Sequence, residues 1–263
     1  MNLLAIDTCT RRIGVAIASD AKITAQTPPQ TSPPGSQVGP LAEPLAEPLA
    51  EPLGTERGES PRHVEELAPT IKRLLQASAM TAHDIDAVAV TVGPGMFTGL
   101  RVGMATACTF ANALRVPMIA LSSLDVLADP LRYADCDVVV ATLEARRTEM
   151  YFALYPRNNE GLDVDVEIGI ATPMALAVKL ASRGARLLLC GDALGRHSNE
   201  FGKLSNVVIA SSKFSAPSCA SMVRLAMAKW ELGGAVAASE ITPMYLRQSD
   251  AQINVSKVSG GTM

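Results

Sequence analysis

The chain has 263 residues, 48% hydrophobic and 19% charged, so it can bury a core and is not globally disordered. Its 23 Lys and Arg against 26 Asp and Glu give a net charge of −3, which excludes a uniformly basic nucleic-acid coat but allows a local basic patch. Five cysteines without a Cys-x-x-Cys pair argue against a disulfide framework or a zinc ribbon. An early acid at Asp7, and no uncharged apolar run of about 20 residues, predict a cytoplasmic protein without signal peptide or membrane helix.

Residues 28–61 differ in composition from the rest of the chain. They contain nine of the 17 prolines, no aromatic residue and three tandem Leu-Ala-Glu-Pro repeats. Repeated proline removes backbone donors and obstructs a helix, and so few apolar residues cannot offset the entropy cost of ordering. We predict a disordered proline-rich insertion; a proline-rich docking peptide is the alternative.

The first half alternates predicted strands and helices. Apolar runs predict a hairpin of two strands with a third strand after it, then a helix, a strand, a helix and a strand. Their bounds are 3–7, 13–18 and 22–27 for the hairpin and third strand, 64–77 and 98–114 for the helices, and 86–92 and 116–121 for the later strands. Ser123 is expected to cap a short helix that follows.

The second half repeats this order. Strands are predicted at 137–143, 148–155, 164–170, 186–190 and 207–210, with one helix after a Thr172-Pro173 cap and a long helix from 215 to about 232. Aligning Arg11-Arg12 with Arg146-Arg147 superposes two hairpin-like units. This echo favours an α/β fold of two duplicated domains, 1–122 and 123–263.

Two stretches carry residues that could contact a nucleotide or phosphate. Asp7 and Thr8 follow a buried strand, where an acid and a hydroxyl can hold a hydrated metal and a phosphate. Residues 93–101, with Gly95 in the turn, join a buried strand to a helix N-terminus, where free N–H groups favour anions. The stretch is not a Walker A loop. The alternative for Asp7 and Thr8 is that they only organise the turn.

The three histidines at positions 63, 83 and 197 form no metal-binding pattern. His63 opens the first predicted helix, but the residue four positions later is Leu67, so two imidazoles do not share a helix face. No Gly-x-Ser-x-Gly elbow or Cys–His signature is present, which leaves a hydrolase without a nucleophile assembly. We therefore predict no metal site and no catalytic residue.

Five strings of residues resemble the TsaB-type subunits of the bacterial tRNA threonylcarbamoyladenosine machinery. The 93–101 string is the most specific, and the five together span nearly the whole chain apart from 28–61. The chain departs from the family pattern at Met96, where Ser is usual, at Glu144, where Asp is usual, and in the length of 28–61. In chain order the strings are Leu4-Ala5-Ile6-Asp7-Thr8, His63 with Glu66-Leu67-Ala68-Pro69, residues 93–101, Glu144-Ala145-Arg146-Arg147 with Glu149-Met150-Tyr151, and Pro243-Met244-Tyr245-Leu246-Arg247.

The resemblance implies two domains of the actin/Hsp70/sugar-kinase, ribonuclease H-like type. It also implies a non-catalytic subunit that pairs with a catalytic TsaD-type paralogue, which transfers threonylcarbamoyl from an adenylate to the adenosine 3′ of the tRNA anticodon. That paralogue carries a His-x-x-x-His metal motif where this chain has His63 and Leu67. ATP and a divalent metal are then used on the partner subunits, which include a small TsaE-type ATPase. This chain alone is expected to bind no cofactor and to meet tRNA through the complex.

The resemblance further implies that the helices 64–77 and 98–114 join two equivalent helices of the partner as a four-helix bundle. Gly99, Gly103, Ala107 and Ala111 recur every four residues, and such a ridge without bulk lets another helix approach closely. The alternative is that this ridge faces the protein's own sheet. Whether the lone chain forms a homodimer is left open. The residues expected at the interface are Val64, Leu67, Ile71, Leu74, Gly99, Gly103, Ala107 and Ala111.

Two other functions are weighed against this hypothesis. An independent actin-like ATPase or sugar kinase gains from Asp7 and Thr8, but the second half lacks a clear Gly-rich adenosine loop. A metalloprotease-like enzyme is disfavoured because His63 has no partner histidine four residues on.

Overall fold

The computed structural model describes residues 1–27, 63–145, 148–157 and 166–246. The insertion predicted at 28–61 lies outside these described residues. No helix among them is long and apolar enough to cross a membrane. The described strands are β1 Asn2–Asp7, β2 Gly14–Ser19, β3 Lys22–Gln26, β4 Ala87–Gly93, β5 Met118–Ser122, β6 Val138–Glu144, β7 Met150–Pro156, β8 Glu167–Ala171, β9 Leu187–Cys190 and β10 Val207–Ile209. The described α-helices are α1 His63–Ala77, α2 Phe97–Leu114, α3 Ser123–Ala128, α4 Pro173–Ala181, α5 Leu194–Phe201 and α6 Cys219–Glu231.

The strands form two five-stranded mixed sheets with one shared topology. The first sheet has the order β3-β2-β1-β4-β5, and the second has the order β10-β9-β6-β7-β8. In each sheet the first three strands in chain order pair antiparallel, the fourth pairs parallel with the first, and the fifth pairs parallel with the fourth. This repeated order confirms the predicted α/β fold of two duplicated actin/Hsp70/sugar-kinase-like domains.

The two hairpins occupy equivalent places in the two sheets. Asp7 ends β1 opposite Gly14, and Glu144 ends β6 opposite Met150. The echo seen in the sequence is therefore a structural equivalence that brings Asp7 and Glu144 to corresponding strand ends. Arg146-Arg147, on which the alignment was made, lies outside the described residues.

Helices α1 and α2 cover one face of the first sheet. Leu67 and Ile71 of α1 and Met104 and Ala107 of α2 pack in one core cluster with strand residues such as Ile6. Each fully buried aliphatic side chain of this kind contributes about 1.5–3 kcal/mol. The apolar face of α1 thus packs in the core of its own domain.

This burial corrects the predicted partner interface. Ala107 and Ala111 are 0% and 1% exposed and lie in the core of the first domain, because the small-residue ridge packs against β1 and β4. Gly99 and Gly103 are buried as well, under the turn that follows β1. The ridge therefore faces the protein's own sheet, as in the alternative that the sequence left open.

The predicted interface residues of α1 are partly buried and partly exposed. Leu67 and Ile71 are buried, and Leu74 is partly buried against the same core. Val64 is 72% exposed, so it is the member of the predicted set whose side chain points to solvent. A partner that contacts this helix must therefore meet its outward face.

Helix α6 covers the opposite face of the first sheet. Met222, Val223 and Ala226 pack with Leu3 and Ala89 in a second core cluster. The segment after α6 also packs against the first domain. Met118 and Val236 exchange backbone hydrogen bonds of 2.8 and 2.9 Å, and the Met244 N–H donates to the Val92 carbonyl at 2.7 Å. The predicted boundary at residue 122 is thus wrong for residues 219–246, which complete the first domain.

The second domain is built around its own sheet. Leu124 and Leu127 of α3 pack on one face with Val139 of β6. Leu176 of α4 and Phe201 of α5 pack on the other face. The core on the α3 side also includes Cys9 and Leu100 from the first domain, so one apolar cluster joins the two domains.

Cap residues agree with the sequence in one case and differ in another. The Thr172 hydroxyl accepts from the Ala175 N–H at 3.2 Å, which confirms the predicted cap of α4. Ser122 rather than Ser123 caps α3, because its hydroxyl accepts from the Asp125 N–H at 3.4 Å. The last long helix begins at Cys219, after its cap Ser218, rather than at residue 215.

Candidate functional site

The candidate site lies where the turn after β1 meets the N-terminus of α2. Asp7 is 1% exposed, and its Oδ1 accepts from the Thr91 hydroxyl at 2.6 Å and from the Cys9 N–H at 3.2 Å. Burial raises the pKa of this carboxyl above its usual value, and the two hydrogen bonds oppose the rise. The side chain therefore ties β4 and the turn to β1.

Thr8 is committed to a contact inside the domain. Its hydroxyl donates to the Gly99 carbonyl at 2.8 Å in the first turn of α2. A Cβ built at Gly103, one turn later, would collide with the Thr8 hydroxyl oxygen. Gly103 is required here because the helix passes directly under the turn.

Gly95 brings the 93–101 loop onto the backbone of the same turn. A Cβ at this position would lie 2.5 Å from the Cys9 carbonyl oxygen and 2.8 Å from Cys9 Cβ. The Met96 N–H donates to the Cys9 carbonyl at 2.7 Å. The loop is therefore closed against the turn, with little room for a ligand between them.

Gly93 holds the other end of this loop in a left-handed conformation. Its φ is +116°, and Gly191, which follows β9 in the second domain, has the corresponding value of +120°. Other residue types rarely adopt such values. Both domains thus leave their fourth strand through a glycine with a positive φ.

His63 lies beside the first turn of α2. It is 2% exposed, and a Cβ at Gly99 would lie 3.1 Å from its ring atoms Nδ1 and Cε1. Burial lowers the pKa of the imidazole, so the neutral form is favoured. Among the described residues no group of three His, Cys, Asp or Glu side chains could hold a metal ion.

The second domain contributes an acidic pair to the same region. Asp192 Oδ1 accepts from the Glu144 N–H at 2.8 Å, and Arg196 Nε lies 3.2 Å from Glu144 Oε1. Burial raises the pKa of Asp192 to about 7, opposed by this hydrogen bond and by the charge of Arg12. The sequence does not predict Asp192 as a site residue, because a lone acid after a strand has no specific pattern.

A second cluster lies on the surface at the start of α2, and we call Phe97, Arg101 and Tyr245 the aromatic–arginine cluster. The Arg101 Cζ is 3.7 Å from the centroid of the Phe97 ring, and the Arg101 Nε donates to the Tyr245 hydroxyl at 3.2 Å. The two ring centroids are 5.9 Å apart. Sequence reasoning did not assign these residues, although two of the family-like strings contain them.

The structure thus brings together the predicted contacts Asp7, Thr8 and Gly95 within one turn and loop. The polar groups of Asp7 and Thr8 form hydrogen bonds within the protein: the Asp7 carboxylate accepts from Thr91 of β4, and the Thr8 hydroxyl donates to Gly99 of α2. Gly95 packs closely on Cys9. These hydrogen bonds connect the ends of β1 and β4 and the N-terminus of α2.

Known proteins resemble this chain in sequence. A family model described as "TsaD: tRNA N6-adenosine threonylcarbamoyltransferase" matches residues 58–183. An uncharacterized protein of Mycobacterium tuberculosis is 40% identical over 111 residues, 39% of this chain and 51% of that protein, so the match spans about half of its length. The tRNA threonylcarbamoyladenosine biosynthesis protein TsaB of Escherichia coli is 26% identical over 254 residues, 95% of this chain and 96% of that protein.

A solved structure has the same fold over nearly the whole chain. It is a Pseudomonas aeruginosa protein described as similar to peptidase YEAZ, with 25% identity, a TM-score of 0.69, and coverage of 94% of this chain and 99% of that one. The chain is therefore similar in sequence and fold to TsaB- and YeaZ-type proteins, and residues 58–183 are similar to the TsaD family.

Proposed function

We propose that this chain acts in the biosynthesis of tRNA threonylcarbamoyladenosine as a non-catalytic subunit. In this function it pairs with a catalytic TsaD-type paralogue, which transfers threonylcarbamoyl to the adenosine 3′ of the tRNA anticodon. ATP and a divalent metal act on the partner subunits, among them a small TsaE-type ATPase. The naming of the E. coli relative supports the pathway, and the TsaD-family match supports the kinship with the catalytic subunit.

The observation that carries the non-catalytic role is the internal bonding at the turn after β1. A nucleotide site at this turn would need the strand-end acid and the following hydroxyl free to face a phosphate or its metal. Here the Asp7 carboxylate is 1% exposed and bonded to Thr91, and the Thr8 hydroxyl is bonded to Gly99. Opening this turn to a nucleotide would break both contacts.

Pairing with the paralogue is proposed to use the outward faces of α1 and α2. The buried ridge of α2 cannot take part, but Val64 on α1 is 72% exposed, and Ala68, Ala105 and Thr109 are exposed as well. An exposed valine beside small residues suits a closely packed helix–helix contact.

Co-purification with the TsaD-type paralogue of the same organism, followed by a tRNA modification assay with and without this chain, tests the proposal. Val64→Asp should weaken co-purification and modification at an unchanged melting temperature, because the charge is solvated in the free protein and desolvated at the interface. Val178→Asp is the matched control, since Val178 is 64% exposed on α4 of the second domain.

Two results would contradict the proposal. Modification of tRNA by the lone chain supplied with adenylate and divalent metal, lost on His63→Ala, would make the chain itself catalytic. Turnover of ATP by the lone chain would favour an independent ATPase or sugar kinase.

A further inference from the structure

The aromatic–arginine cluster, Phe97, Arg101 and Tyr245, presents stacked planar groups to solvent. Phe97 and Tyr245 are 40% and 48% exposed, whereas most large hydrophobic side chains of the first domain are buried in its core. The Arg101 guanidinium lies over the Phe97 ring at 3.7 Å. Aromatic rings and guanidinium planes in this arrangement are the surfaces on which unpaired nucleobases stack.

The contacts hold the three side chains in a defined geometry. Tyr245 reaches the cluster because the Met244 N–H donates to the Val92 carbonyl at 2.7 Å, which fixes the returning chain beside β4. The Tyr245 hydroxyl then accepts from Arg101 Nε at 3.2 Å and orients the guanidinium. Side chains fixed in this way lose less conformational entropy when a ligand stacks on them.

The charge of the cluster suits a polyanion. Among the residues that the structure describes, no carboxylate lies within 4.0 Å of the Arg101 guanidinium, and the first turn of α2 carries no acidic residue. A guanidinium has five N–H donors, and one is used by Tyr245. The remaining donors can bind phosphate oxygens while the planes bind a base.

We propose that the aromatic–arginine cluster is an RNA-contacting surface, on which an unpaired nucleotide stacks against Phe97 and Tyr245 while Arg101 binds its phosphate. The inference rests on the proposed function, because it supplies a contact to the tRNA substrate from the non-catalytic subunit. A nucleotide is favoured over a protein partner because the cluster combines flat rings with a cation that forms no ion pair within the described part of the chain.

The test measures RNA affinity by fluorescence anisotropy for the full chain, alone and with the TsaD-type paralogue. The probes are a labelled unmodified tRNA transcript and a labelled, unstructured oligoribonucleotide. Tyr245→Ala should weaken binding of both about tenfold, the typical loss when one stacking ring is removed. Arg101→Lys should weaken binding while the salt dependence stays, and Arg101→Ala should lower the salt slope by about one ion.

Matched controls keep the result specific. Lys213→Ala removes a cation from another ring pair, Lys213 over Phe214 at 5.1 Å, and Tyr133→Ala removes an exposed ring from another surface. Both should leave RNA affinity unchanged. Tyr245→Phe keeps the ring and removes only the hydroxyl that accepts from Arg101, so it should weaken RNA binding less than Tyr245→Ala. If Tyr245→Ala is unstable, Arg101→Ala carries the test.

The outcomes separate this inference from the proposed function. Folded cluster variants that bind both probes like the wild type overturn the RNA surface, even when the wild type pairs with the paralogue and supports modification. Loss of pairing at unchanged RNA affinity makes the cluster a protein contact and also overturns it. A wild-type chain that supports no modification, but binds RNA through the cluster, contradicts the proposed function and leaves the RNA surface supported.

Discussion

Thr91 donates its hydroxyl proton to the buried Asp7 carboxylate at 2.6 Å, which joins the ends of two parallel strands in the first sheet. Thr91 is 1% exposed, as is Asp7, so water cannot replace this hydrogen bond. A buried carboxylate that loses a donor keeps the full cost of its desolvation. The pair therefore fixes the turn on which the candidate site is built.

Thr91→Val should lower the free energy of unfolding by about 1–3 kcal/mol, because the shape is kept while the donor to Asp7 is removed. Thermal or urea unfolding at neutral pH measures the loss. Thr109→Val, on the exposed side of α2, is the control and should change stability by no more than about 0.5 kcal/mol. Equal stability of the two variants would contradict a structural role for the bond.

Gly103→Ala should destabilise the protein by about 1–3 kcal/mol, because the new Cβ collides with the Thr8 hydroxyl. Combining it with Thr8→Ala should recover part of the loss, since the colliding oxygen is then absent. Gly195→Ala in α5 is the control, because a Cβ added there would have nothing within 4 Å and alanine is the better helix former. Additive effects of the two changes at Gly103 and Thr8 would show that they do not touch.

Ala107→Arg should cost several kcal/mol and yield misfolded protein, because the site is 0% exposed and the guanidinium would be buried without a partner. Ala105→Arg, two residues earlier on the exposed side of α2, should fold normally. Solubility and melting temperature distinguish the two. A soluble Ala107→Arg variant that melts like the wild type would contradict the burial of the small-residue ridge and favour a partner interface there.

The stability of the Asp192→Asn variant relative to wild type should rise with pH. The folded pKa of Asp192 is about 7 and its unfolded value is 3.8, so between these values the folded state binds the proton more tightly. Wild-type stability therefore falls as pH rises through this window, and the neutral amide removes that fall. Unfolding at pH 5 and pH 8 should show a relative gain of about 1–3 kcal/mol. A Glu231→Gln control, at the exposed end of α6, should follow the wild-type pH dependence.

Much of the fold follows from local pattern. The bounds of α1 and α2 agree with the predicted helices to one residue, because each has a continuous apolar face and a clear start and end. The hairpin echo predicts two similar domains but not the strand order, since pairing across a sheet leaves no local pattern in the sequence. The four-residue spacing of small residues in α2 predicts a close contact, but it does not distinguish a partner helix from the protein's own strands.

The site was predictable as a set of residues but not as a set of contacts. Asp7, Thr8 and Gly95 stand out by their position after strands, yet their hydrogen bonds reach Thr91 and Gly99, more than 80 residues away in the chain. The aromatic–arginine cluster joins residues 144 positions apart, Arg101 and Tyr245, and no spacing in the sequence indicates this. The contact between Arg101 and Tyr245 forms only because the chain returns to the first domain after the second domain.

The return of α6 to the first sheet has a consequence for synthesis of the protein. Strands β1 to β5 emerge early from the ribosome, but one face of their sheet stays uncovered until residues 219–231 have been made. During that interval the second domain can fold around its own core, whereas the first carries an open apolar surface. The amino-terminal domain is thus the last of the two to be completed, although its strands are synthesised first.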